Sequence, residues 1–396
     1  MSNDNLFQEN IKSIFYSIDS IEDFCNLLNQ IYQHIFPSRD TKLNVVISVK
    51  DLNYYAFDRS RHKYKMFAIR KKDGGSRIIK APNYKLKTIL KCLNWLLNTL
   101  FIPHNNAYGF VRNKNVANNA VPHVGKLFVY NIDLLNFFPS TSFRRVKSVF
   151  ELPPFYLNGD KPKLPNREKL GFLIANLCCD AGFLPQGAPT SPVLTNIVCR
   201  RMDKKLYKFS KQNNCTYTRY ADDITFSSYK QVFDESFKNG IKSIIENEEN
   251  YKINDKKERL QSYGERQTVT GLVVNQKLNV TRDYNKDIRF WLWSWEKWGY
   301  EQTQSRFTEE FVNKKSYQKY NGKAPSFVNY LSGKIRYLSM IRGRDDERVK
   351  RYVDNFNKMI SDTAKTFTTI DLLQILRKID THGKDSIDYS FKKNIA

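Results

Sequence analysis

Thr218-Arg219-Tyr220-Ala221-Asp222-Asp223-Ile224-Thr225-Phe226-Ser227 places two adjacent carboxylates inside a run of β-forming side chains. Tyr, Thr, Ile and Phe on both sides predict a strand, a tight turn at the Asp pair and a returning strand. A hairpin tip holds such carboxylates in place and open to solvent, which suits them to hard cations such as Mg²⁺. The pattern is short, so its meaning rests on what surrounds it.

Upstream, Val129-Tyr130-Asn131-Ile132-Asp133-Leu134-Leu135-Asn136-Phe137-Phe138-Pro139-Ser140 reads as an apolar strand carrying one Asp and followed by an aromatic pair. Between the acidic segments lies Gly182-Phe183-Leu184-Pro185-Gln186-Gly187-Ala188-Pro189-Thr190-Ser191-Pro192, then an apolar helical pattern from Val193 to Met202. A strand with Asp, a Gln-Gly-x-Pro turn entering a helix, then Tyr-x-Asp-Asp: this order and spacing resembles the palm of reverse transcriptases. The resemblance implies an α+β fold of the right-hand polymerase type, with fingers, a palm built on an antiparallel sheet, and a helical thumb.

The 396 residues are enough for two or three compact subdomains, and 41% hydrophobic content argues for a folded chain. Sixty-five Lys and Arg against 40 Asp and Glu leave a formal charge of +25, which favours polyphosphate partners through counterion release. The charge is spread along the chain, since the last 96 residues hold 19 Lys and Arg against 12 Asp and Glu. No apolar run approaches a membrane span, and the start lacks a basic segment leading into an apolar one. Cys25, Cys92, Cys178, Cys179, Cys199 and Cys215 form no Cys-x-x-Cys pair, so they read as reduced core thiols of a cytoplasmic protein.

Residues 1–60 read as an N-terminal helical extension, 61–125 as fingers, 126–280 as palm with part of the fingers near 150–190, and 281–396 as a helical thumb and RNA-binding region. Within the fingers, Met66-Phe67-Ala68-Ile69, Asp73-Gly74-Gly75 and Arg77-Ile78-Ile79 read as a β-hairpin. Four prolines between 152 and 168 indicate a surface loop. Val269-Thr270-Gly271-Leu272-Val273 reads as a strand bent at its Gly. Ile288, Trp291, Trp295 and Trp298 recur at helical spacing on one face, which points to core packing ahead of base stacking.

Templated phosphoryl transfer needs two metal ions, and Asp133 and Asp222 are the natural bridging ligands although 89 residues separate them. Asp223 supports that set, and the Leu134 carbonyl can add an oxygen. Lys71 and Arg77 of the hairpin are candidate donors to nucleotide phosphates, Arg77 first by resemblance to reverse-transcriptase fingers. Gln186 and Gly187 resemble the segment that packs against the nascent base pair. Phe138 resembles the ring that excludes a 2′-hydroxyl, with core packing as its rival role. Lys257 resembles the lysine that protonates the leaving pyrophosphate, with Lys256 adjacent.

Two further motifs narrow the family. Asn118-Asn119-Ala120-Val121-Pro122-His123 and Val269-Thr270-Gly271 are similar to the Asn-Ala-x-x-His and Val-Thr-Gly signatures of retron reverse transcriptases, and Leu331–Leu338 is similar to a thumb helix. By this resemblance Asn119, His123, Val269, Thr270 and Gly271 shape the RNA and primer groove. It also implies RNA-directed synthesis of DNA that stays branched to a cognate non-coding RNA. Deoxynucleotides, two Mg²⁺ per active site and a separate effector protein in defence against phage would complete the system. Another phage-defence polymerase and a catalytically inactive RNA-binding scaffold remain the alternatives.

Overall fold

The computed structural model describes residues 3–37, 47–58, 63–70, 74–157, 167–312, 324–366, 377–379 and 385–387. The chain divides into two compact units, Met1–Asn119 with Leu127–Gln261, and Ala120–Lys126 with Ser262–Ala396.

The first unit opens with helices α1 (Asn3–Ser17), α2 (Ile21–Ile35) and α3 (Val49–Phe57). Ser20 starts α2 by accepting from the Asp23 N–H, and Ser48 with Asp51 forms a reciprocal capping box on α3. Phe24, Leu27, Leu28 and Ile31 give α2 a buried stripe at helical spacing. Strands β1 (Tyr64–Arg70) and β2 (Ser76–Pro82) pair antiparallel with Ile69 opposite Arg77, as the hairpin reading requires. Lys71 lies outside the described residues. Helix α4 (Tyr84–Leu100) follows, capped by the Asn83 side chain, and buries Leu86, Ile89, Leu90, Leu93 and Leu97. In the region expected as an extension, Ile11, Phe24, Leu28 and Leu52 share one apolar core with α4, so these helices are built into the body of the unit.

Helix α5 (Val116–Ala120) precedes β3 (Phe128–Asp133), α6 (Phe143–Phe150), α7 (Arg167–Cys178), α8 (Ser191–Val198) and α9 (Arg200–Gln212). Strands β4 (Thr216–Tyr220) and β5 (Asp223–Ser228) form the expected hairpin, and α10 (Glu235–Lys242) runs on into a wider π-helical turn before β6 (Arg259–Ser262). These four strands make one sheet in the order β4-β5-β3-β6. Tyr130, Ile132, Tyr217, Ile224 and Phe226 cover one side of its core together with Met202, Leu206, Phe237 and Ile241 from the helices. That apolar layer fixes the register of the strands, because a one-residue slip would turn it to the opposite face.

In the second unit, β7 (Thr268–Val269) and β8 (Leu272–Val273) pair across Thr270 and Gly271, whose φ values are 47° and 82°. The expected bent strand is therefore a two-residue hairpin; two consecutive positive φ angles are the signature of the tightest turn class. Helices α11 (Arg282–Val312), α12 (Phe327–Arg342) and α13 (Glu347–Thr366) follow, then the short pair β9 (Arg377–Ile379) and β10 (Asp385–Ile387). Ile288, Trp291 and Trp295 are buried as their spacing predicts, while Trp293 on the opposite face is exposed. Gly299 at φ 74° breaks α11 into two helices. The division between units falls at Gln261–Ser262, ahead of the expected palm–thumb boundary at 280–281. Val273 and Asn279 line one cleft with residues at the starts of α11 and α13.

Gly271 has open space around its Cα, so its requirement is conformational alone. Gly271→Val is expected to cost about 1–2 kcal/mol through the left-handed backbone it must keep. Urea titration followed by tryptophan fluorescence, which reports on this Trp-rich unit, checks it.

Candidate active site

The decisive geometry is a register. Across β3 and β5, Asp133 stands directly opposite Asp223, and on the other side of β5 Tyr220 pairs with Asp223. Ala221 and Asp222 are thereby the two turn residues, with Ala221 at φ 59°. The Asp222 carbonyl accepts from the Leu134 N–H at 3.1 Å, tying the tip to the chain just past Asp133. Three carboxylates from two distant segments thus converge on one end of the sheet. Leu134 sits beside them, held through its bridge to Ile253.

Like charges crowded together resist ionising. Desolvation and the charge of Asp133 push the Asp222 carboxyl up, while Lys257 and Arg77 pull it down. The Asp223 carboxyl rises to about 7 through desolvation and the charges of Asp222 and Asp133. Asp223 is exposed at the tip, so crowding is the cause that fixes the direction. Lys257 Nζ donates to Asp133 Oδ1 at 2.9 Å, and Asn254 donates to Asp133 Oδ2 at 3.4 Å. Desolvation opposes the Lys257 charge, but Asp133 and its neighbours raise its pKa, so it stays an ammonium. Among the described residues no three carboxylate, His or Cys side chains are gathered into a ready metal cage. The donor chemistry nevertheless fits a hard divalent cation: repelling oxygen ligands with a lysine cation already resting on one of them.

Arg77 is exposed on β2 and its charge reaches Asp222. The Gln186 carbonyl accepts from the Lys80 N–H at 2.8 Å, and Gly187, at φ 124°, lies so close to Lys80 that a Cβ would meet its carbonyl oxygen at 2.8 Å. This joins the Gln-Gly turn to the β1–β2 hairpin. Phe138 is half-buried, with its ring 6.0 Å from Phe110 and 5.7 Å from Phe137. Asn119, His123 and Val269 are buried, while Thr270 and Gly271 reach the surface. Burial pushes the His123 imidazole down to about 3, leaving it neutral.

The residues missed in the sequence lie directly behind the turn. Arg219 is fully buried and donates to both Asp203 oxygens at 2.7 Å, to the Asn196 side-chain oxygen at 3.1 Å and to the Ala221 carbonyl at 3.1 Å. Its backbone is clamped by Asn106 and Tyr108, and Asn196 also donates to the Gly109 carbonyl. Gly109 itself has no room for a side chain, because a Cβ would overlap the Ala221 nitrogen. Desolvation opposes the Arg219 charge, but Asp203 outweighs it and holds the guanidinium firmly protonated. The available signal was an arginine inside a strand of β-formers, which needs a buried partner.

The chain matches the family described as "Reverse transcriptase (RNA-dependent DNA polymerase)" over residues 69–306. It is 31% identical over 249 residues to the retron Ec86 reverse transcriptase of Escherichia coli, covering 61% of this chain and 73% of that one. With the retron Ec73 reverse transcriptase of the same organism, identity is 37% over 244 residues, covering 56% and 72%. The chain belongs to the retron-type reverse transcriptases. The retron Mx65 reverse transcriptase of Myxococcus xanthus is 32% identical over 255 residues, and this chain spans 59% of its length.

Asp203→Asn leaves the buried Arg219 without its counter-charge and is expected to cost about 3–5 kcal/mol in chemical denaturation. Asp223→Asn removes a repelling charge. It is expected to raise the melting temperature in EDTA by roughly 1–3 °C after solvent screening, and to shrink the rise that Mg²⁺ gives the parent. Scanning calorimetry with and without Mg²⁺ reads both effects.

Proposed function

We propose that this chain is an RNA-directed DNA polymerase of a retron. In this reading it copies a structured non-coding RNA into single-stranded DNA that stays linked to the RNA. The observation that carries the reading is the register that sets Asp133 opposite Asp223 with Asp222 in the adjoining turn, where the charge of Arg77 acts on Asp222.

Two Mg²⁺ ions bound by Asp133, Asp222 and Asp223 would supply activation of the attacking hydroxyl and neutralise charge on the leaving phosphates. The protein groups do the rest. Arg77 holds the triphosphate of the incoming deoxynucleotide, and Gln186 with Gly187 supports the nascent pair through its contact with β2. The Phe138 ring closes the space a 2′-hydroxyl would need. Lys257, kept protonated beside Asp133, is the proton donor to the departing pyrophosphate. The RNA template and product, a separate effector and a part in phage defence complete the proposal. No helix among the described residues is long and apolar enough to cross a membrane.

Expression with the native flanking DNA, followed by electrophoresis of the co-purified nucleic acid with and without RNase, tests the reading. A discrete DNA band that shortens on RNase treatment is the expected result; absent, heterogeneous or RNase-indifferent DNA overturns it. Asp222→Asn is expected to abolish the band, a loss of at least about 100-fold, while RNA binding stays close to the parent. Phe138→Ala is expected to relax the preference for deoxynucleotides by roughly 10-fold or more, read as a kcat/KM ratio in primer extension.

A further inference from the structure

Strand β2 carries Arg77 near its start and meets the rest of its unit near its end. Ser76, Arg77 and Ile78 are exposed, as are Lys65, Met66, Phe67 and Ala68 of β1, so the outer part of the hairpin stands clear of the core. A two-stranded hairpin has little stability of its own, so its direction is set where it joins the body.

That junction centres on one residue. The Lys80 N–H donates to the Gln186 carbonyl at 2.8 Å, and Lys80 Nζ donates to Asp180 Oδ2 in an ion pair. Ile79 lies against Gly187, where a Cβ would meet Ile79 Cγ2 at 2.9 Å. Side chains alternate along a strand, which puts Ile79 and Arg77 on one face of β2 and Lys80 on the other. The 180–187 segment therefore grips β2 three times: Gln186 at the edge, Gly187 on the Arg77 face and Asp180 on the opposite face.

Asp180 is itself fixed. Asp180 and Phe183 exchange backbone hydrogen bonds at 2.9 and 3.2 Å across Ala181 and Gly182, whose φ values are 50° and 82°. The Phe143 N–H donates to the Gly182 carbonyl at 2.7 Å and the Leu184 N–H to the Thr141 carbonyl at 3.1 Å, tying this turn to the start of α6. Both side chains of the pair are 28% exposed, and a cavity of about 870 Å³ opens beside them, lined by Phe57, Met66 and Phe172. Lys63 lines it too, but its Nζ is taken by the Tyr55 carbonyl at 2.8 Å. With open space on this side of β2, the charge pair holds the strand where packing does not.

We infer that Lys80 and Asp180 are a positioning pair for the incoming nucleotide: they hold β2 against the Gln186–Gly187 turn and thereby aim Arg77 at the carboxylate end of the sheet. The assignment rests on the proposal that Arg77 holds the triphosphate, and it adds what places that guanidinium. Three residues of strand, about 10 Å, separate Arg77 from Lys80, so a tilt at the junction is carried to the phosphate-binding group. A half-exposed ion pair contributes little to stability, but a charge-assisted hydrogen bond selects one geometry. Small misplacements of a positioned group are costly for the substrate it must meet.

The test is primer extension by the full chain on a primed RNA template, read as kcat and as KM for the deoxynucleotide. Asp180→Asn and Lys80→Met each keep the backbone bond to Gln186. They are expected to raise KM roughly 5-fold while kcat stays within about 2-fold of the parent. The KM for primer–template and the melting temperature stay close to parental values. The exchanged pair, Lys80→Asp with Asp180→Lys, is expected to restore part of the lost affinity, as coupled side chains do. Parental KM in both single variants overturns the inference, as does a loss carried by kcat or an exchanged pair no better than the single variants. Amide hydrogen exchange of Ser76–Pro82 and of residues 184–188 is followed on the same proteins without substrate. Faster exchange in both single variants is expected, and parental exchange overturns the inference. A parent that makes no DNA refutes the functional proposal, and the exchange data then decide whether the pair holds the two segments together.

Discussion

Three carboxylates held at one end of a sheet repel each other, and the fold must hold them there before any cation arrives. The antiparallel register of β3 with β5 does this by setting Asp133 opposite Asp223. The register is in turn secured by the apolar layer of Tyr130, Ile132, Ile224 and Phe226, whose burial far outweighs the repulsion at the tip. The crowding is visible in the raised pKa of Asp222 and Asp223.

The turn is stiffened from behind. Arg219 sits in the strand that leads into it, fully enclosed, and makes four hydrogen bonds to Asp203, Asn196 and the Ala221 carbonyl. A buried ion pair is a poor source of net stability but a strong source of definition, because every alternative arrangement leaves a charge unpaired. Gly109 completes the support by letting another backbone segment touch the Tyr220–Ala221 peptide. The contact with the most chemical consequence at the front is Lys257 on Asp133, a cation already placed where a metal would compete for the same oxygen.

The unit beginning at Ser262 works on different physics. Its helices bury Trp291, Trp295, Phe307, Phe327 and Phe356, and the aromatic edges meet at 5–6 Å. That interior leaves charge for the surface, where the arginine-lined cleft forms from β8 and the first turns of α11 and α13. Aromatic residues spaced for stacking on nucleic acid and aromatic residues spaced for a helical core look alike in sequence; here burial assigns Trp291 and Trp295 to the core.

What the sequence by itself determined was local and periodic. Strand, Asp-Asp turn and returning strand followed from β-formers around two carboxylates, the β1–β2 hairpin from its Gly pair, and the tryptophan face from helical spacing. The order of three motifs further identified the family. Tertiary structure decided what depends on distant neighbours. That Asp133 meets Asp223 in register, and that Arg219 is a buried strut, comes from contacts 90 and 16 residues apart in the chain. That α1, α2 and α3 belong to the main core, and that Val269–Gly271 is a hairpin turn with Asn119 and His123 interior, depends on which faces other elements cover. Periodicity records which face of an element is apolar. It does not record which other element meets that face, and the charges of this site take their meaning from that meeting.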